Sequence, residues 1–349
     1  MARKRKRKRT ADSETETPAR QKKNRKARLQ ATLPTKLSKK PKATKLSSLS
    51  YDPRIFETMR TGTIVDRFFA NKVGIPRACN FIVVGDPGVG KSTVCLDILA
   101  NVQNEKAKKN KVLFISAEMN EIDMFEYMER YPKFGEIDIL FLGDYVDENP
   151  KLVIEQMLEE GYDLVLGDSF VEIQETVKET CYMTTSQAEK WLIDLMLKNN
   201  KGQNNSKAYT TFLMIQQVTK GGVFVGSNKL KHSTTGMLDI RFSGSENSGQ
   251  RYVEFSKNRR GEVNRRLFFA LNIPEDVSWN EEKWNMDKIN RDRMEKELNE
   301  LAKEADAFDV LLKHVEPTPT PEAQAAEASA ETILDSIENE DDGEGDDDF

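Results

Sequence analysis

The chain has 349 residues and a formal net charge of −5, but its charges are spread very unevenly. Residues 1–50 hold 18 Lys and Arg against 3 Asp and Glu, whereas residues 316–349 hold 13 Asp and Glu and neither Lys nor Arg. Three widely spaced cysteines argue against a disulfide framework and a four-cysteine metal site, and no apolar run approaches the roughly 18 residues of a membrane span. The composition therefore indicates a globular protein of a reducing compartment.

Both ends of the chain are too polar and too strongly of one sign to bury a core, so they are expected to be disordered. The middle is long enough for one α/β domain with a large core. The predicted organisation has four parts, namely a basic tail at 1–55, an α/β core at 56–275, a charged helix at 276–315 and an acidic tail at 316–349.

Two basic clusters, residues 3–9 and 22–28, mark the N-terminal tail. They suit a phosphate-binding arm that adds sequence-independent, salt-sensitive affinity for nucleic acid. A solvated run of charge without a specific role is one alternative, and a nuclear-localisation signal in a eukaryotic host is another. No apolar segment follows the basic residues, which argues against a secretory signal.

Residues 81–93, FIVVGDPGVGKST, are the most informative stretch of the chain. The apolar run 81–84 predicts a buried strand, and apolar residues at helical spacing follow Thr93. Strand, G-x-x-x-x-G-K-S and helix together are the full context of a phosphate-binding P-loop. The alternative, a glycine-rich turn that merely joins a strand to a helix, is disfavoured because all three parts are present.

The residue types of this loop have separate roles in binding a nucleoside triphosphate. The glycines let backbone N–H groups turn inward around phosphate oxygens, and the following helix directs the positive end of its dipole at the same anion. Lys91 supplies a charge to the β- and γ-phosphates, and Ser92 supplies a hydroxyl to Mg²⁺. The predicted nucleotide-binding residues are Gly85, Asp86, Pro87, Gly88, Val89, Gly90, Lys91, Ser92 and Thr93.

Carboxylates follow three of the later strands. The strand predicted at 112–115 leads to Glu118, a candidate to orient the water that attacks the γ-phosphate, because ligands bind at the carboxyl ends of parallel strands. The alternative for Glu118 is a carboxylate at the start of the next helix. Two further strands end in Asp144 and Asp168, and the pattern does not decide which of them holds Mg²⁺. An amphipathic helix at 149–161 between them predicts a parallel sheet.

A fourth core strand, residues 210–215, ends in Gln216 and Gln217 and leads into a basic, glycine-rich segment at 219–236. This segment leaves the sheet on the ligand edge, and it is either an ordinary surface loop or a loop that contacts DNA. Its lysines suit contacts to the phosphate backbone rather than to bases, and they are Lys220, Lys229 and Lys231. His232 lacks the partners of a metal site.

The C-terminal part of the core predicts two strands, 252–256 and 265–271, joined by a basic turn at 257–261. Residues 281–315 predict a long charged helix with an apolar stripe of about three heptads. The stripe is expected to pack on its own domain, with a contact to a neighbouring subunit as the alternative. Its members are Met294, Leu298, Leu301, Ala305, Phe308, Leu312 and Val315.

Residues 61–271 resemble the RecA-like motor of the bacterial RadA (Sms) proteins and, more loosely, RecA and DnaB-type helicases. Six segments occur in the order of that family, namely TG-x₃-DR at 61–67, GDPGVGKST at 85–93, FISAE at 114–118, YDLVLGDS at 162–169, QVTKGG at 217–222 and KNRRG at 257–261. The family also has an N-terminal four-cysteine zinc motif and a C-terminal Lon-protease-like domain, and this chain has a basic tail and an acidic tail instead. The resemblance implies an α/β, RecA-like P-loop NTPase fold with a mainly parallel twisted sheet flanked by helices.

The resemblance also implies roles for single residues. Asp168 matches the Walker B aspartate that holds Mg²⁺ with Ser92, which leaves Asp144 without that role, and Glu118 matches the catalytic glutamate. Gln217 matches the sensor that links the γ-phosphate to the DNA-binding loop. Lys257 and Arg259 match basic residues that reach the ATP site of a neighbouring subunit, which implies a ring or a filament.

The resemblance predicts a DNA-stimulated ATPase, with ATP and Mg²⁺, that acts in homologous recombination, branch migration or DNA repair. The alternatives are a DnaB-type replicative helicase motor and a KaiC-like assembly that ATP regulates. Expected partners are single-stranded or branched DNA, further copies of the chain and, through the acidic tail, single-strand-binding or replication proteins. The expected location is the cytoplasm, at the nucleoid or in a virus-infected cell, or the nucleus of a eukaryotic host, and not a membrane.

Overall fold

The computed structural model of the chain describes residues 40–217, 228–244, 249–271 and 276–312, with the backbone alone described at 228–229 and 306–312. Residues up to Tyr51 form a unit of their own, and its described part contains one 3₁₀ turn, Leu46–Ser48. The basic clusters and the acidic segment that the sequence singles out lie outside the described residues. All elements below belong to the second unit, which begins at Asp52.

The second unit is built on one large sheet. A short antiparallel pair, β1 (Thr58–Met59) and β2 (Ile75–Pro76), precedes it. The strands of the large sheet are β3 Asn80–Gly85, β4 Val112–Ser116, β5 Asp138–Phe141, β6 Leu164–Asp168, β7 Thr211–Ile215, β8 Gly236–Phe242, β9 Arg251–Asn258, β10 Leu267–Leu271 and β11 Val277–Trp279.

The nine strands have the order β11-β10-β9-β8-β3-β7-β6-β4-β5. The six strands from β8 to β5 are parallel to one another, whereas β9, β10 and β11 extend the sheet in antiparallel fashion. The α-helices of the described residues are α1 Lys91–Gln103, α2 Glu121–Arg130, α3 Pro150–Glu159, α4 Phe170–Thr180, α5 Thr185–Asn200, α6 Asn228–Ser233 and α7 Glu281–Leu312. The predicted α/β fold, with a mainly parallel sheet and flanking helices, is confirmed.

Helices cover both faces of the sheet because its parallel strands are apolar on both sides. Phe81 and Val83 of β3 point into the core that α1 and α2 cover. Ile82 and Val84 point into the opposite core, which α3, α4 and α5 cover. The two cores hold the strands rigidly, so the loops at the carboxyl ends of the strands are supported from both sides.

Elements of the described residues that are absent from the sequence prediction include α4, α6, β8 and β11, and β11 occupies Val277–Trp279 at the start of the segment predicted as a charged helix. Helix α4 follows β6 directly, and its N-cap Ser169 accepts a hydrogen bond from the backbone N–H of Glu172. Strand β8 pairs with β3 in parallel, although more than 150 residues separate Phe81 from its partner Gly236. The predicted C-terminal hairpin is present as β9 and β10, and Lys257 belongs to β9 rather than to the turn.

The long helix α7 is anchored at its start and exposed further along. Trp284 is buried and packs edge-on against Phe68 at a ring-centroid distance of 5.9 Å. The side chains of Met294, Leu298 and Leu301 are 58%, 62% and 60% exposed. Packing of the apolar stripe on its own domain is therefore not observed for these three residues. Ala305 is exposed as well, and the side chains of Phe308, Leu312 and Val315 lie outside the described part of the chain.

Candidate nucleotide-binding site

Four neighbouring strands bring their carboxyl ends together at one cavity of about 480 Å³. Strand β3 carries the P-loop, β4 leads to Glu118, β6 ends in Asp168 and β7 leads to Gln217. The P-loop, Glu118, Asp168 and Gln217 all line the cavity, because the sheet order places β3, β7, β6 and β4 side by side. The remaining contacts come from Gly85, Pro87, Gly88, Gly90, Lys91, Ser92, Thr93, Tyr127 and Ile215.

The P-loop has the backbone of a phosphate cradle. Gly88 and Gly90 have φ values of +75° and +93°, in the left-handed region that glycine adopts without strain. Gly90 is the N-cap of α1 and offers no side-chain cap, so the first amide N–H groups of the helix are left for an anion. Val89 differs from its neighbours, because its side chain is buried in the core beneath the loop.

Lys91 folds back over the loop. Its Nζ donates hydrogen bonds to the carbonyl oxygens of Gly85 (2.9 Å) and Asp86 (3.0 Å). Burial lowers the pKa of Lys91, while the charges of Asp168 and Glu118 oppose that change. Two neutral carbonyl groups therefore hold the ammonium group beside the cavity. A phosphate that enters the cavity can take their place as a charged partner of this ammonium group.

Ser92 and Asp168, the two predicted Mg²⁺ ligands, lie next to each other in the cavity. The Ser92 hydroxyl donates to Asp168 Oδ2 over 2.5 Å. Burial raises the pKa of Asp168 to about 6, and the nearby charge of Glu118 adds to that rise. The buried carboxylate of Asp168 and the exposed carboxylate of Glu118 line the same cavity, a setting that a divalent cation stabilises. Within the described residues, no group of three or more His, Cys, Asp or Glu is arranged to hold a metal ion. One carboxylate and one hydroxyl, completed by substrate phosphates, are a ligand set that suits Mg²⁺.

Glu118 and Gln217 contact each other across the cavity. Gln217 Nε2 donates to Glu118 Oε1 over 3.0 Å, although 99 residues separate the two along the chain. Ser116 ends β4 and its hydroxyl donates to the carbonyl of Met119, which fixes the turn that carries Glu118. The structure thus joins the predicted catalytic carboxylate to the predicted sensor residue.

Asp144 does not reach this site. Strand β5 ends at Phe141, and Asp144 lies in the 3₁₀ turn Leu142–Tyr145 that follows it. Strand β5 is also at the edge of the sheet, beyond β4. The expectation that Asp144 ends a strand is therefore wrong, and Asp168 is the strand-end aspartate of the cavity.

The TG-x₃-DR segment has a structural explanation. The buried carboxylate of Asp66 accepts hydrogen bonds from Thr61 N (2.7 Å), Thr61 Oγ1 (2.9 Å) and Gly62 N (3.2 Å). The aspartate therefore holds the Thr61–Gly62 turn at the entry to the core, and it does not line the cavity. The next residue, Arg67, remains 60% exposed.

Similarity to known proteins agrees with this geometry. The DNA repair protein RadA of Campylobacter jejuni is 26% identical over 202 residues, which are 57% of this chain and 41% of that protein. The DNA repair protein RadA of Streptococcus pyogenes serotype M6 is 28% identical over 215 residues, which are 61% of this chain and 44% of that protein. The core of this chain is RadA-like, within the RecA superfamily.

The RadA-like chain spans less than half of the length of these relatives. No family profile matches it. Among solved structures, a KaiC-like protein from Pyrococcus horikoshii aligns with 64% of the RadA-like chain and 99% of its own length, with a TM-score of 0.49 and 15% identity. Among the described residues, no helix combines the length and the apolarity that a membrane crossing needs.

Lys257 and Arg259 of the RadA-like core lie far from the P-loop, at the end of the sheet where the parallel strands β3 and β8 begin. Asn258 pairs with Gly236, which pairs with Phe81 near the start of β3, whereas the P-loop follows the end of β3. The length of β3 separates the two ends by roughly 17 Å. Neither cation lines the nucleotide cavity of its own chain.

The backbone of α6 holds both cations. Lys257 donates to the carbonyl oxygen of Lys231, and Arg259 donates to that of His232 over 3.0 Å. Lys231, a predicted DNA contact, therefore lies at the end of the sheet opposite the P-loop. Gln217 lies at the carboxyl ends of the parallel strands, whereas Gly236 lies at their amino ends. Lys220 and the side chain of Lys229 lie outside the described residues.

Tyr127 is a cavity residue that the sequence did not predict. It lies on α2, is half-buried and lines the nucleotide cavity beside Glu118. The guanidinium of Arg130 lies 4.8 Å from the centre of its ring. An aromatic residue at helical spacing normally indicates a core position, so the sequence offered no separate signal for it.

Proposed function

We propose that the chain is a DNA-stimulated ATPase of the RecA/RadA type that works as a homo-oligomer in recombination, branch migration or DNA repair. The Glu118–Gln217 hydrogen bond carries the proposal, because it joins the proposed catalytic carboxylate to Gln217, the residue from which the chain enters the segment 218–227. A hydrolase that responds to a second ligand needs such a link between the reacting phosphate and a binding surface.

The residues of the cavity suit binding of ATP with Mg²⁺. The P-loop amides and Lys91 would hold the phosphates, and Ser92 and Asp168 would hold the metal. Mg²⁺ bound there would supply positive charge to the transferring phosphoryl group. Glu118 would accept a hydrogen bond from the attacking water and orient it.

In this proposal Gln217 responds to the presence of the γ-phosphate in the site. Its amide donates to Glu118 in the structure, and a γ-phosphate or its water competes for the same donor and acceptor. A change in this hydrogen bond moves the backbone at Gln217, which continues directly into the segment with Lys220. DNA bound by that segment favours one arrangement of Gln217, and this coupling makes hydrolysis depend on DNA.

Lys257 and Arg259 complete the site of a neighbouring subunit in this proposal. In a head-to-tail assembly, the end of one subunit that carries these cations contacts the P-loop end of the next subunit. There the cations stabilise the charge on the phosphoryl group that is transferred. The carbonyl partners on α6 link these cations to the same chain segment that follows Gln217.

The decisive experiment compares ATP turnover of the full chain with and without single-stranded DNA, while electron microscopy records rings or filaments. We expect turnover to rise several-fold with DNA and to vanish in Lys91→Ala. Absence of Mg²⁺-dependent ATP binding refutes the proposal. ATP-driven assembly without any response to DNA supports the KaiC-like alternative, and unwinding of a forked duplex without homology supports the DnaB-like one.

The oppositely charged ends have a proposed role as well. The acidic segment 316–349 competes with DNA for the basic N-terminal clusters or for the basic segment 219–236, or it docks partner proteins, because opposite charges attract at low salt. Truncation after Val315 should raise DNA affinity and steepen its salt dependence. An unchanged affinity and an unchanged salt slope would show that the ends do not compete.

A further inference from the structure

A second cavity, of about 360 Å³, lies beside the basic turn that follows β9. Arg67, Glu262, Arg265, Trp284 and Lys288 are among its lining residues, and none of its lining residues belongs to the nucleotide cavity. Its wall is tied to the basic turn, because Asn71 N donates to the carbonyl of Arg260 over 2.9 Å. A ligand in this cavity would therefore contact the same surface that presents Arg259.

The environment of Arg265 is the main evidence for a ligand in this cavity. Its side chain is only 7% exposed, and its Nε has no hydrogen-bond partner. The guanidinium lies 3.3 Å from the centre of the Trp284 ring, and its nearest carboxylate oxygen, on Glu262, is 3.3 Å away. A buried guanidinium group with an unsatisfied N–H in a cavity wall is costly unless a ligand completes its hydrogen bonds.

Two further cations face the same space. Arg67 is 60% exposed, and its closest carboxylate is Glu281 at 3.9 Å. Lys288 is exposed and, within the described residues, makes no ion pair. Glu262 is the carboxylate among the lining residues, and it is itself 60% exposed. Three cations and one carboxylate therefore line the cavity, and Glu281 beside Arg67 and Asp287 near Arg265 offset part of this positive charge from outside the lining.

We propose that this cavity binds a phosphate group. Two guanidinium groups and one ammonium group match the geometry and the charge of a phosphate, and the planar fork of arginine binds its oxygens in pairs. The volume admits a phosphate together with an attached sugar or a second phosphate. This site is additional to the nucleotide cavity and does not depend on the proposed function.

The phosphate belongs either to a polynucleotide backbone or to a free phosphate compound. Arg259 and Arg260 lie in the neighbouring turn and Lys257 precedes it near the end of β9, so a polynucleotide that runs past this cavity meets further basic residues. The chemistry of recognition is the same for both sources, and the experiment has one arm for each.

The test uses the full chain with Lys91→Ala as background, so that phosphate binding at the P-loop is weakened. Inorganic phosphate is titrated at constant ionic strength, and the thermal unfolding midpoint is measured. Arg67→Gln and Lys288→Gln remove the accessible cations without disturbing the buried Arg265–Trp284 stack. Lys296→Gln, on an exposed face of the same helix, is the matched control.

We expect a saturable rise of the midpoint in the background and in the Lys296→Gln control. Arg67→Gln or Lys288→Gln should raise the half-saturating phosphate concentration about tenfold. An equal, non-saturable rise in all variants would indicate a general salt effect and would overturn the free-phosphate arm.

The second arm measures binding of a deoxythymidine oligonucleotide at several salt concentrations. Use of the cavity by the backbone predicts that Lys288→Gln lowers the slope of log affinity against log salt by about 0.7, while Lys296→Gln does not. A response in either arm supports the site and identifies the source of the phosphate. Unchanged results in both arms overturn it.

Discussion

Arg259 and Lys91 lie near opposite ends of β3. An experiment that mixes two variants can therefore test whether Arg259 acts in the site of a neighbouring subunit. One variant, Arg259→Ala, keeps its own P-loop but has no cation to donate. The other, Lys91→Ala, keeps its cation but has a damaged P-loop. Each variant alone should be inactive, because every site in its oligomer lacks one essential group.

The expected recovery follows from the proposed head-to-tail arrangement. In a random mixture of equal amounts, a site is complete when an Arg259→Ala subunit supplies the P-loop and a Lys91→Ala neighbour supplies the cation, which holds for about one quarter of the sites. Removal of a charge of this kind lowers turnover by about 10³-fold, so the background from incomplete sites is negligible. The mixture should therefore regain about one quarter of wild-type turnover.

The assay is steady-state phosphate release at fixed total protein, with subunits mixed and allowed to exchange before ATP is added. Nucleotide binding by Arg259→Ala alone should stay close to wild type, because its own cavity is intact. Arg266→Ala is the matched control, since Arg266 lies in the same hairpin and pairs with Glu254. A mixture with no more activity than its parts, or full activity of Arg259→Ala alone, would refute the role in a neighbouring site.

Three further predictions concern stability. Gly90→Ala should cost about 2 kcal/mol in urea unfolding, because a Cβ at φ +93° is strained and would lie 2.7 Å from Leu271 Cδ1, whereas Gly143→Ala has open space and should change little. Asp66→Ala should cost about 3 kcal/mol by leaving three donors unpaired, and Asp66→Asn less, so equal midpoints for both would contradict the turn-holding role. Burial raises the pKa of Asp97 against the opposing charge of Lys133, so the folded state holds this proton more tightly than the unfolded chain. The free energy of unfolding should then fall as pH rises above 3.8, and Asp97→Asn should remove that part of the pH dependence.

The P-loop was predictable from sequence because local geometry dictates it. The strand, the glycines with positive φ and the helix that begins at Lys91 follow one another without a long-range contact. The strands that lead to Glu118 and Gln217 were predictable for a similar reason, since short apolar runs between polar segments rarely form anything else in an α/β protein.

The contacts between distant segments were not predictable in this way. The Glu118–Gln217 hydrogen bond depends on β4, β6 and β7 being neighbours, which the sheet order decides. Strand β8 was missed because its parallel partner β3 is far away along the chain and the segment that precedes it is basic and glycine-rich, although its antiparallel partner β9 is close. The cavity around Arg265 combines three chain segments, and no sequence pattern predicts that they meet.

The apolar stripe of α7 shows a different limit. Periodicity establishes that one face of a helix is apolar, but it does not identify what covers that face. Met294, Leu298 and Leu301 are exposed in the single chain, although the spacing is that of a packed seam. Helix α4, in contrast, had a usable signal in the Ser169-x-x-Glu172 pattern, which the structure shows as a cap.

The separation of Lys91 from Arg259 along β3 has a consequence for any assembly in which one serves the other. Such an assembly has a direction, and in an open filament the terminal P-loop at one tip has no donor. A filament of n subunits then works with n − 1 complete centres, while a closed ring works with all of them. Specific activity would rise with filament length and level off, and severing a filament would silence one centre at each new break.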